Sequence, residues 1–440
     1  MKQYKIKTGK GELNSTGGNH LFGILLKSHA QQAIPVNFQS RRSDAIADRD
    51  ILLTQIGLLC NGRNDFNDVD LYRNDELFMN AFGLKTVASE PVFRQRFDDL
   101  PAARTHAALR ELNIQQLSTR TFGRVDADGM LLVPVDIDVS PFDNSGSSKQ
   151  GVSFTYKKHD GYAPIFAYIG TEGYMLDCEL RPGKQHCQRG TPEFIQRSVK
   201  MLKGLGLEDQ CLFRLDGGND AAENMDRFGG HRFIIKRNLR KECLEQWLAL
   251  ARRVGDKQES REGKNVYTGF VDHLHPGGDE SRPCVPVAFE VIERLTDIHG
   301  QALLLPEVEV NTWWTNLTCA AETVIDLYHA HGTSEQFHSE LKSDLDVERL
   351  PSGKLCANKI ILLCAMVAFN LLRTLGQEVL KRAALAPQKI NVLRWRIKTV
   401  LQNIIYCAVR LVRHAGRTEL HFGKRCPWFA VIRDIALACT

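Results

Sequence analysis

The chain has 440 residues, of which 43% are hydrophobic and 25% are charged, as in an ordinary soluble globular protein, and this length favours two or three domains. The net charge of +5 is unevenly spread: residues 351–440 carry 15 Lys and Arg against 3 Asp and Glu, whereas the first 350 carry 42 against 49. A basic segment joined to a mildly acidic body indicates a polyanionic partner, although a solvated helical face produces the same imbalance.

The sequence gives no sign of secretion or of a membrane span. The opening residues, MKQYKIKTGKGE, are basic but lack the apolar core of a secretory signal. The longest apolar run, Ile360–Phe369, is too short to cross a bilayer and predicts a buried helix. Twelve cysteines are scattered without a C-x-x-C pair or zinc-ligand spacing, which favours reduced thiols. We therefore expect a cytoplasmic protein with no membrane partner.

Residues 1 to about 125 are predicted to be mostly helical. Within them, residues 75–100 read as a short helix, a break at Gly83 and a second helix capped by Ser89. This layout is typical of a helix-turn-helix, and it sets Arg94 and Arg96 on the second helix, where they would meet DNA. Any pair of packed helices produces the same pattern, so the motif alone does not decide between the two.

From about residue 126 the sequence changes to runs of β-branched and aromatic residues separated by turn residues, a pattern that predicts β-strands. A helix opened by Thr191 and Pro192 follows the run at 174–183. The predicted strands and the helix lie at residues 130–140, 152–158, 164–170, 174–183, 191–206, 210–218 and 231–238. The order β-β-β-α-β-α-β is that of the ribonuclease-H-like fold, so the predicted class is α/β with a ribonuclease-H-like catalytic core.

The predicted organisation has four parts. Charged stretches and short β-like runs interrupt the alternation after the last core strand, and helices resume at about residue 316. We predict an N-terminal helical DNA-binding region, a catalytic core in two pieces, a β-rich insertion between them and a basic C-terminal helical region, at residues 1–125, 126–240 with 316–375, 241–315 and 376–440.

Three aspartates stand at predicted strand ends. Asp136 and Asp138 are two residues apart in one strand and therefore share a face, although a turn-capping pair is an alternative. Asp216 closes the apolar strand CLFRL and precedes Gly217 and Gly218. Functional groups of α/β sheets collect at the carboxyl ends of strands, whereas an Asx-turn would also suit this segment.

A second set of polar side chains recurs at helical spacing near residue 335. With intervals of 3, 4, 3 and 4, they fall within an arc of about 80° on a helix, and they are Tyr328, His331, Glu335, His338 and Lys342. Glu340 would project away from Glu335 and is predicted to be solvated. A capping-box pattern after Gly332 allows the helix to begin or kink there.

Taken together, Asp138, Asp216 and Glu335 predict a three-carboxylate metal site. Mg²⁺ prefers such hard oxygen ligands and completes its shell with substrate phosphate. Two ions about 4 Å apart would clamp the attacking and leaving oxygens of an in-line phosphoryl transfer.

These residues resemble the DDE transposases of bacterial insertion sequences, in particular the cut-and-paste group with a Tyr-x2-Arg-x3-Glu-x6-Lys signature. Tyr328, Glu335 and Lys342 stand at those spacings, and His331 replaces the arginine. The family's first aspartate is followed two residues later by Thr or Ser, which favours Asp138 over Asp136. The second aspartate maps to Asp216. The LRPG turn (180–183) and the basic segment 390–414, predicted as a helix, also resemble this group.

The resemblance implies a transposase that binds transposon-end DNA and catalyses Mg²⁺-dependent strand cleavage and strand transfer through a hairpin. Asp138, Asp216 and Glu335 would be the catalytic and metal-binding residues, for two Mg²⁺ ions or for Mn²⁺ in their place. Tyr328 and Lys342 would contact DNA, with His331 in the arginine's role. The implied partners are double-stranded DNA at the ends and target, and a second copy in a synaptic homodimer, in a bacterial, nucleoid-associated setting.

Two other functions fit the same residues: a ribonuclease-H-like nuclease that cuts without joining, and a transposase-derived DNA-binding protein. Trp313 and Trp314, just before the signature helix, either stack on a displaced base or pack the insertion onto the core.

Overall fold

The structure is a computed structural model, and it describes residues 13–26, 29–41, 45–414 and 417–438. The chain divides into two compact units. The first comprises three separate segments and the second comprises two: Met1–Arg120, Phe142–Val152 and Ser339–Thr440, and then Thr121–Pro141 and Ser153–His338.

The α-helices and β-strands have the following bounds. The α-helices are α1 Asn19–Leu26, α2 His29–Ala33, α3 Asp48–Cys60, α4 Glu76–Phe82, α5 Glu90–Asp99, α6 Ala102–Leu117, α7 Thr191–Gly204, α8 Ala222–Met225, α9 Leu244–Val254, α10 Ala321–His329, α11 Ser334–Ser339, α12 Leu355–Lys381, α13 Ile397–Val400 and α14 Phe429–Ala438. The strands are β1 Val125–Ala127, β2 Met130–Val139, β3 Phe142–Asp143, β4 Ser153–Phe154, β5 Asp160–Tyr162, β6 Ile165–Ile169, β7 Tyr174–Glu179, β8 Cys211–Leu215, β9 Arg232–Arg237, β10 Asp256–Arg261, β11 Lys264–Val271, β12 Val287–Thr296, β13 Ala302–Thr315, β14 Val409–His414 and β15 Arg417–Phe422.

One large mixed sheet organises the second unit. Its strand order is β10-β11-β12-β13-β9-β8-β2-β6-β7, with β1 beside β2. Strand β2 is antiparallel to β6 and parallel to β8, and β8 is parallel to β9. The predicted strands at residues 130–140, 164–170, 174–183, 210–218 and 231–238 and the helix at 191–206 are confirmed, whereas the strand predicted over 152–158 is limited to Ser153–Phe154 and lies outside the large sheet. The unit has a mixed α/β fold.

The predicted β-rich insertion continues this sheet. After α9, strands β10 to β13 form an antiparallel series, and residues 312–315 of β13 pair with residues 234–237 of β9. The inserted residues therefore share backbone hydrogen bonds with the central strands and lengthen the same sheet.

Helix α10 covers one face of the sheet. Its apolar side, with Val324 and Leu327, packs on residues from β2, β8, β9 and β13. These sheet residues are Leu132, Leu212, Ile234 and Trp313. Because side chains alternate across a strand, Leu132 and Leu212 fix this face for Asp136 and Arg214 in the same strands.

The first unit is built around the 27-residue helix α12, which packs against α3 and α6. By length and composition this helix could cross a membrane, but most of its apolar stretch is buried inside the unit. The predicted buried helix over Ile360–Phe369 is confirmed and is longer than predicted. Residues 339–375, predicted as part of the catalytic core, belong instead to this unit, because α12 buries its apolar surface against α3 and α6.

The C-terminal region is not purely helical, so the predicted helix over residues 390–414 is wrong. Helix α13 continues into a π-helical turn, Leu401–Ile405, and the chain then forms the antiparallel hairpin β14–β15.

Glu340 is buried in the first unit, contrary to the prediction that it is solvated. Its carboxylate accepts hydrogen bonds from Arg373 Nη2 at 3.0 Å and from the backbone N–H of Ile397 at 2.9 Å. Arg394 Nη2 lies 3.2 Å from the other oxygen. Glu340 is the first residue of a π-helical turn, Glu340–Asp344, that follows α11.

We expect Glu340→Ala to lower the free energy of unfolding by about 3–5 kcal/mol, because it leaves the buried Arg373 and the partly buried Arg394 without their counter-charge. Urea denaturation monitored by circular dichroism measures this change.

Glu335→Ala is the matched control. Glu335 is exposed, so we expect this variant to differ from the wild type by less than about 0.5 kcal/mol. Equal destabilisation by the two substitutions would contradict the buried position of Glu340.

Candidate active site

Acidic side chains meet at the carboxyl ends of β2 and β8. In the parallel pair, Asp136 lies beside Arg214 and Ile137 beside Leu215. One further step in this register sets Asp138 against Asp216, on strands about 4.8 Å apart. The structure thus brings two of the three predicted carboxylates together.

Asp136 is bound inside the unit. Arg214 donates to both of its oxygens, at 2.6 and 2.8 Å, and His331 Nδ1 lies 2.9 Å from Oδ1. Arg214 also donates to the backbone oxygen of Leu327, at 2.8 Å. Burial acts to raise the pKa of Asp136, but the charges of Arg214 and His331 hold that pKa below its ordinary value. The pair fastens the end of α10 to the sheet, an arrangement that favours Asp138 as the reactive carboxylate.

Asp138 is held in one orientation by its neighbours. Its Oδ2 lies 3.2 Å from His338 Nε2, and its Oδ1 accepts from the backbone N–H of Val139 at 2.7 Å. The other ring nitrogen of His338 lies 3.2 Å from the Tyr168 hydroxyl. Burial acts to raise the pKa of Asp138, yet the hydrogen bond and charge of His338 lower it overall. These contacts hold the Asp138 carboxylate in place and favour its charged form.

The pKa of Asp216 is shifted in the opposite direction from that of Asp138. Burial and the nearby charge of Asp138 raise the pKa of Asp216, although Asn219 donates to its Oδ1 at 2.6 Å. A Cβ at Gly218 would lie 3.3 Å from both carboxylate oxygens, so the glycine leaves space beside them. Two hard oxygen donors that repel each other in a half-buried site fit a divalent cation, which would offset both charges.

Glu335 is not brought to the aspartates. The predicted single helix is divided into α10, a 3-10 turn at Ala330–Thr333, α11 and the π-helical turn. As a result His331 and His338 are buried, whereas Glu335 is exposed. In the part of the chain that the structure describes, no three His, Cys, Asp or Glu side chains form a group that could hold a metal ion. Glu335 precedes His338 by one turn of α11.

Tyr328 faces the two aspartates. Burial and the charges of Asp216 and Asp138 raise the pKa of its hydroxyl. Its ring centroid lies 5.6 Å from that of Trp313 and 5.9 Å from that of His331. Tyr328 therefore forms one wall of the carboxylate site.

The other predicted DNA contacts lie in different surroundings. His331 is buried against Asp136, and Lys342 belongs to the first unit, where its Nζ lies 5.8 Å from the Phe142 ring. Arg94 is exposed on α5 and pairs with Glu90. Arg96, on the same helix, is buried. Its guanidinium bonds to the Asp48 carboxylate and the Ile46 backbone oxygen.

The two tryptophans pack inside the second unit. This agrees with the interpretation that they pack the insertion onto the core. Trp313 is fully buried under Lys236, whose Nζ lies 4.2 Å from the ring centroid. Trp314 lies on the opposite face and donates from Nε1 to Asp220 Oδ1 at 2.9 Å. Their role here is to pack β13 against its neighbours.

Two contributors to the site were missed from the sequence. Arg214 interrupts the apolar strand CLFRL, and a buried guanidinium requires a carboxylate partner, so its position could have indicated Asp136. Tyr156 donates to the backbone oxygen of Val139 at 2.8 Å, beside Asp138. The sequence signal for Tyr156 is weak, because it consists only of a tyrosine followed by two lysines.

Comparison with known proteins gives a family match. A family profile described as transposase DDE domain group 1 matches residues 3–439. No curated protein matches the chain. Among solved structures, a cryo-EM structure of a piggyBac transposase synaptic complex with hairpin DNA aligns at 13% identity with a TM-score of 0.43, over 90% of this chain and 80% of that one.

We expect Asp136→Asn to lower the free energy of unfolding by about 3–5 kcal/mol, because it leaves Arg214 buried without its counter-charge. Denaturant melts in EDTA measure the change.

Asp138→Asn provides the comparison for the same measurement. It removes one charged hydrogen-bond acceptor of His338, and we expect a loss of about 1 kcal/mol. If the Asp138 variant were the less stable of the two, the structural role given to Asp136 would be wrong.

Proposed function

Because the chain belongs to the transposase DDE domain group 1 family, we propose that it binds the ends of a mobile DNA element and cuts and joins DNA strands there. The observation that carries the proposal is the meeting of Asp138 and Asp216 at neighbouring strand ends, with opposite pKa shifts. The strand order of β7-β6-β2-β8-β9 supports a ribonuclease-H-like catalytic core around them.

Asp138, Asp216 and Glu335 would hold the metal, two Mg²⁺ ions or Mn²⁺ in their place. The bound ions would activate the attacking oxygen and offset the charge that develops on the phosphate. Glu335 would serve as the third ligand only after moving toward the aspartates, since it is exposed and lies one helical turn from His338, which contacts Asp138.

The chain's own residues set the geometry of this site. His338 orients the Asp138 carboxylate through a contact that Tyr168 supports from behind, as outer partners do for metal ligands. Asp136 and Arg214 keep the end of α10 on the sheet, and this position keeps Tyr328 against the aspartates.

The DNA contacts that the sequence predicted belong to this proposal. Tyr328 and Lys342 would contact the strand near the cut, and the exposed Arg94 would contact duplex further away. His331 and Arg96 are bound to carboxylates inside the protein, so their predicted DNA contacts would require those side chains to exchange partners. Double-stranded ends, target DNA and a second copy of the chain in the synaptic complex belong to the same proposal.

We expect Asp138→Asn, Asp216→Asn and Glu335→Gln each to reduce strand cleavage by about three orders of magnitude or more, because each removes a proposed metal ligand. The assay supplies purified protein, Mg²⁺ and DNA carrying the inverted repeats that flank the coding sequence, and it resolves nicked, hairpin and joined products on a denaturing gel.

Binding of the same DNA in EDTA is the control and should be retained by all three variants. Undiminished cutting by the Glu335 variant would contradict its assignment. Cutting without hairpin or joined products would indicate a nuclease, and binding without cutting by the wild type would indicate a DNA-binding protein.

We also expect Mg²⁺ or Mn²⁺ to raise the melting temperature of the wild type. At a concentration ten times the dissociation constant, the ion adds about 1.4 kcal/mol of stability, a shift of about 3–6 °C for a unit of this size. Differential scanning fluorimetry measures the shift.

Asp216→Asn should abolish most of this shift, because it removes one donor and the charge repulsion that the ion relieves. An equal shift in Asp216→Asn and wild type would show that the ion binds elsewhere.

A further inference from the structure

A short hairpin rises beside the candidate active site. Strands β4 and β5 pair in antiparallel register. The turn between them is closed by Lys158 N–H donating to the Thr155 oxygen at 3.0 Å and Thr155 N–H donating to the His159 oxygen at 2.9 Å. Lys158 has a left-handed backbone with φ of 65°. These bonds give the tip one defined shape.

The hairpin presents two aromatic rings to solvent. Phe154 is 62% exposed and Tyr156 is 59% exposed, whereas Thr155 between them is buried, so both rings lie on one side. In the described ranges they are the most exposed aromatic side chains. Leaving such rings in water forgoes about 2 kcal/mol of burial for each, and a partner that covers them would recover it.

Positive charge surrounds the rings. Lys157 and Lys158 are exposed at the tip, and Lys157 Nζ lies 5.6 Å from the centroid of the Tyr156 ring. Lys184, also exposed, adds a third charge at the base, where its backbone N–H donates to Ser153 Oγ at 2.9 Å. Asp160 is the acidic side chain of the hairpin, so the net charge is positive.

The hairpin is fastened next to the carboxylates. The Tyr156 hydroxyl donates to the backbone oxygen of Val139 at 2.8 Å, and Val139 follows Asp138 directly. Burial and the charges of Asp138 and Asp216 raise the pKa of Tyr156, which is consistent with its position facing both. The hydroxyl of Tyr156 is anchored at the site, whereas its ring stays exposed.

The LRPG turn supports the base of the hairpin. A Cβ at Gly183 would lie 2.1 Å from the Ser153 oxygen and 2.3 Å from the Gly161 oxygen, so only glycine permits this approach. Tyr162 forms a β-bridge to Pro182. The base of the hairpin is therefore tightly packed, as expected for a surface that positions a ligand.

We propose that Phe154 and Tyr156 form a stacking platform for unpaired DNA bases next to the cut, with Lys157 and Lys158 contacting the adjoining phosphates. Exposed aromatic rings within a basic surface bind single strands, because every unpaired base offers a flat face and duplex DNA hides its own. The platform rests on the proposed function, in which strand opening at the element's end releases such bases.

The test measures binding by the full chain in EDTA, using fluorescence anisotropy with two labelled probes: a 20-nucleotide oligothymidine and a 20-base-pair duplex. Phe154→Ala and Tyr156→Ala should each weaken binding of the oligothymidine about fivefold or more and change duplex binding less than about twofold. Tyr156→Phe keeps the ring and loses only the bond to Val139, so it should bind oligothymidine as the wild type does.

Leu304→Ala is the matched control, since it removes an exposed apolar side chain from the distant part of β13, and it should change neither affinity. Lys157→Ala should weaken both probes and reduce the salt dependence of binding. The platform is overturned if the ring variants bind oligothymidine like the wild type, or if they lose both probes equally.

Failure of the platform and failure of the proposed function are distinguishable, because the binding assay contains no metal and requires no cleavage. Normal cleavage with unaffected oligothymidine binding in Phe154→Ala would reject only the platform. Loss of oligothymidine binding in that variant, with no cleavage by the wild type, would reject only the proposed reaction.

Discussion

The buried pair of Asp136 and Arg214 is the interaction on which the rest of the second unit depends. A guanidinium in the middle of an apolar strand is tolerated only with a full set of acceptors, and here they come from β2 and from the end of α10. The sheet and the covering helix are therefore fixed by the same group. Asp138 lies on β2, Asp216 directly after β8 and Tyr328 on α10, so the placement of these three side chains follows from this contact.

Next to this pair of opposite charges, Asp138 and Asp216 form a pair of like charges that repel each other. One carboxylate has gained a histidine partner, and the other stands in the field of the first with its pKa raised. A protein selected for stability alone would replace Asp216 by a neutral residue, and retention of such a group is typical of a site where function opposes stability. The contrast with Asp136, two residues away, shows how burial and partners give identical side chains different roles.

Sequence patterns predicted the strands of the core sheet, the short helices around Gly83 and the buried part of α12. These elements were predictable because hydrophobic periodicity and turn residues determine secondary structure locally. They predicted the meeting of Asp138 and Asp216 because both end parallel strands. They could not predict that Glu340, the first residue of the π-helical turn, is buried, since the arginines that pair with it lie far along the chain. The same turn and the break after His329 separate a predicted polar face that a regular helix would have kept together.

The chain crosses between its two units four times, and this has a consequence for biosynthesis. Helix α3 is buried on almost all sides, yet its main partner α12 follows it by about three hundred residues. During translation the N-terminal helices must wait, with apolar surface uncovered, until the entire sheet has been made. The second unit can form its sheet first, so a ribosome-bound chain would hold a nearly complete sheet while the helical unit is still unfinished. Any truncation before α12 would leave those helices without a core.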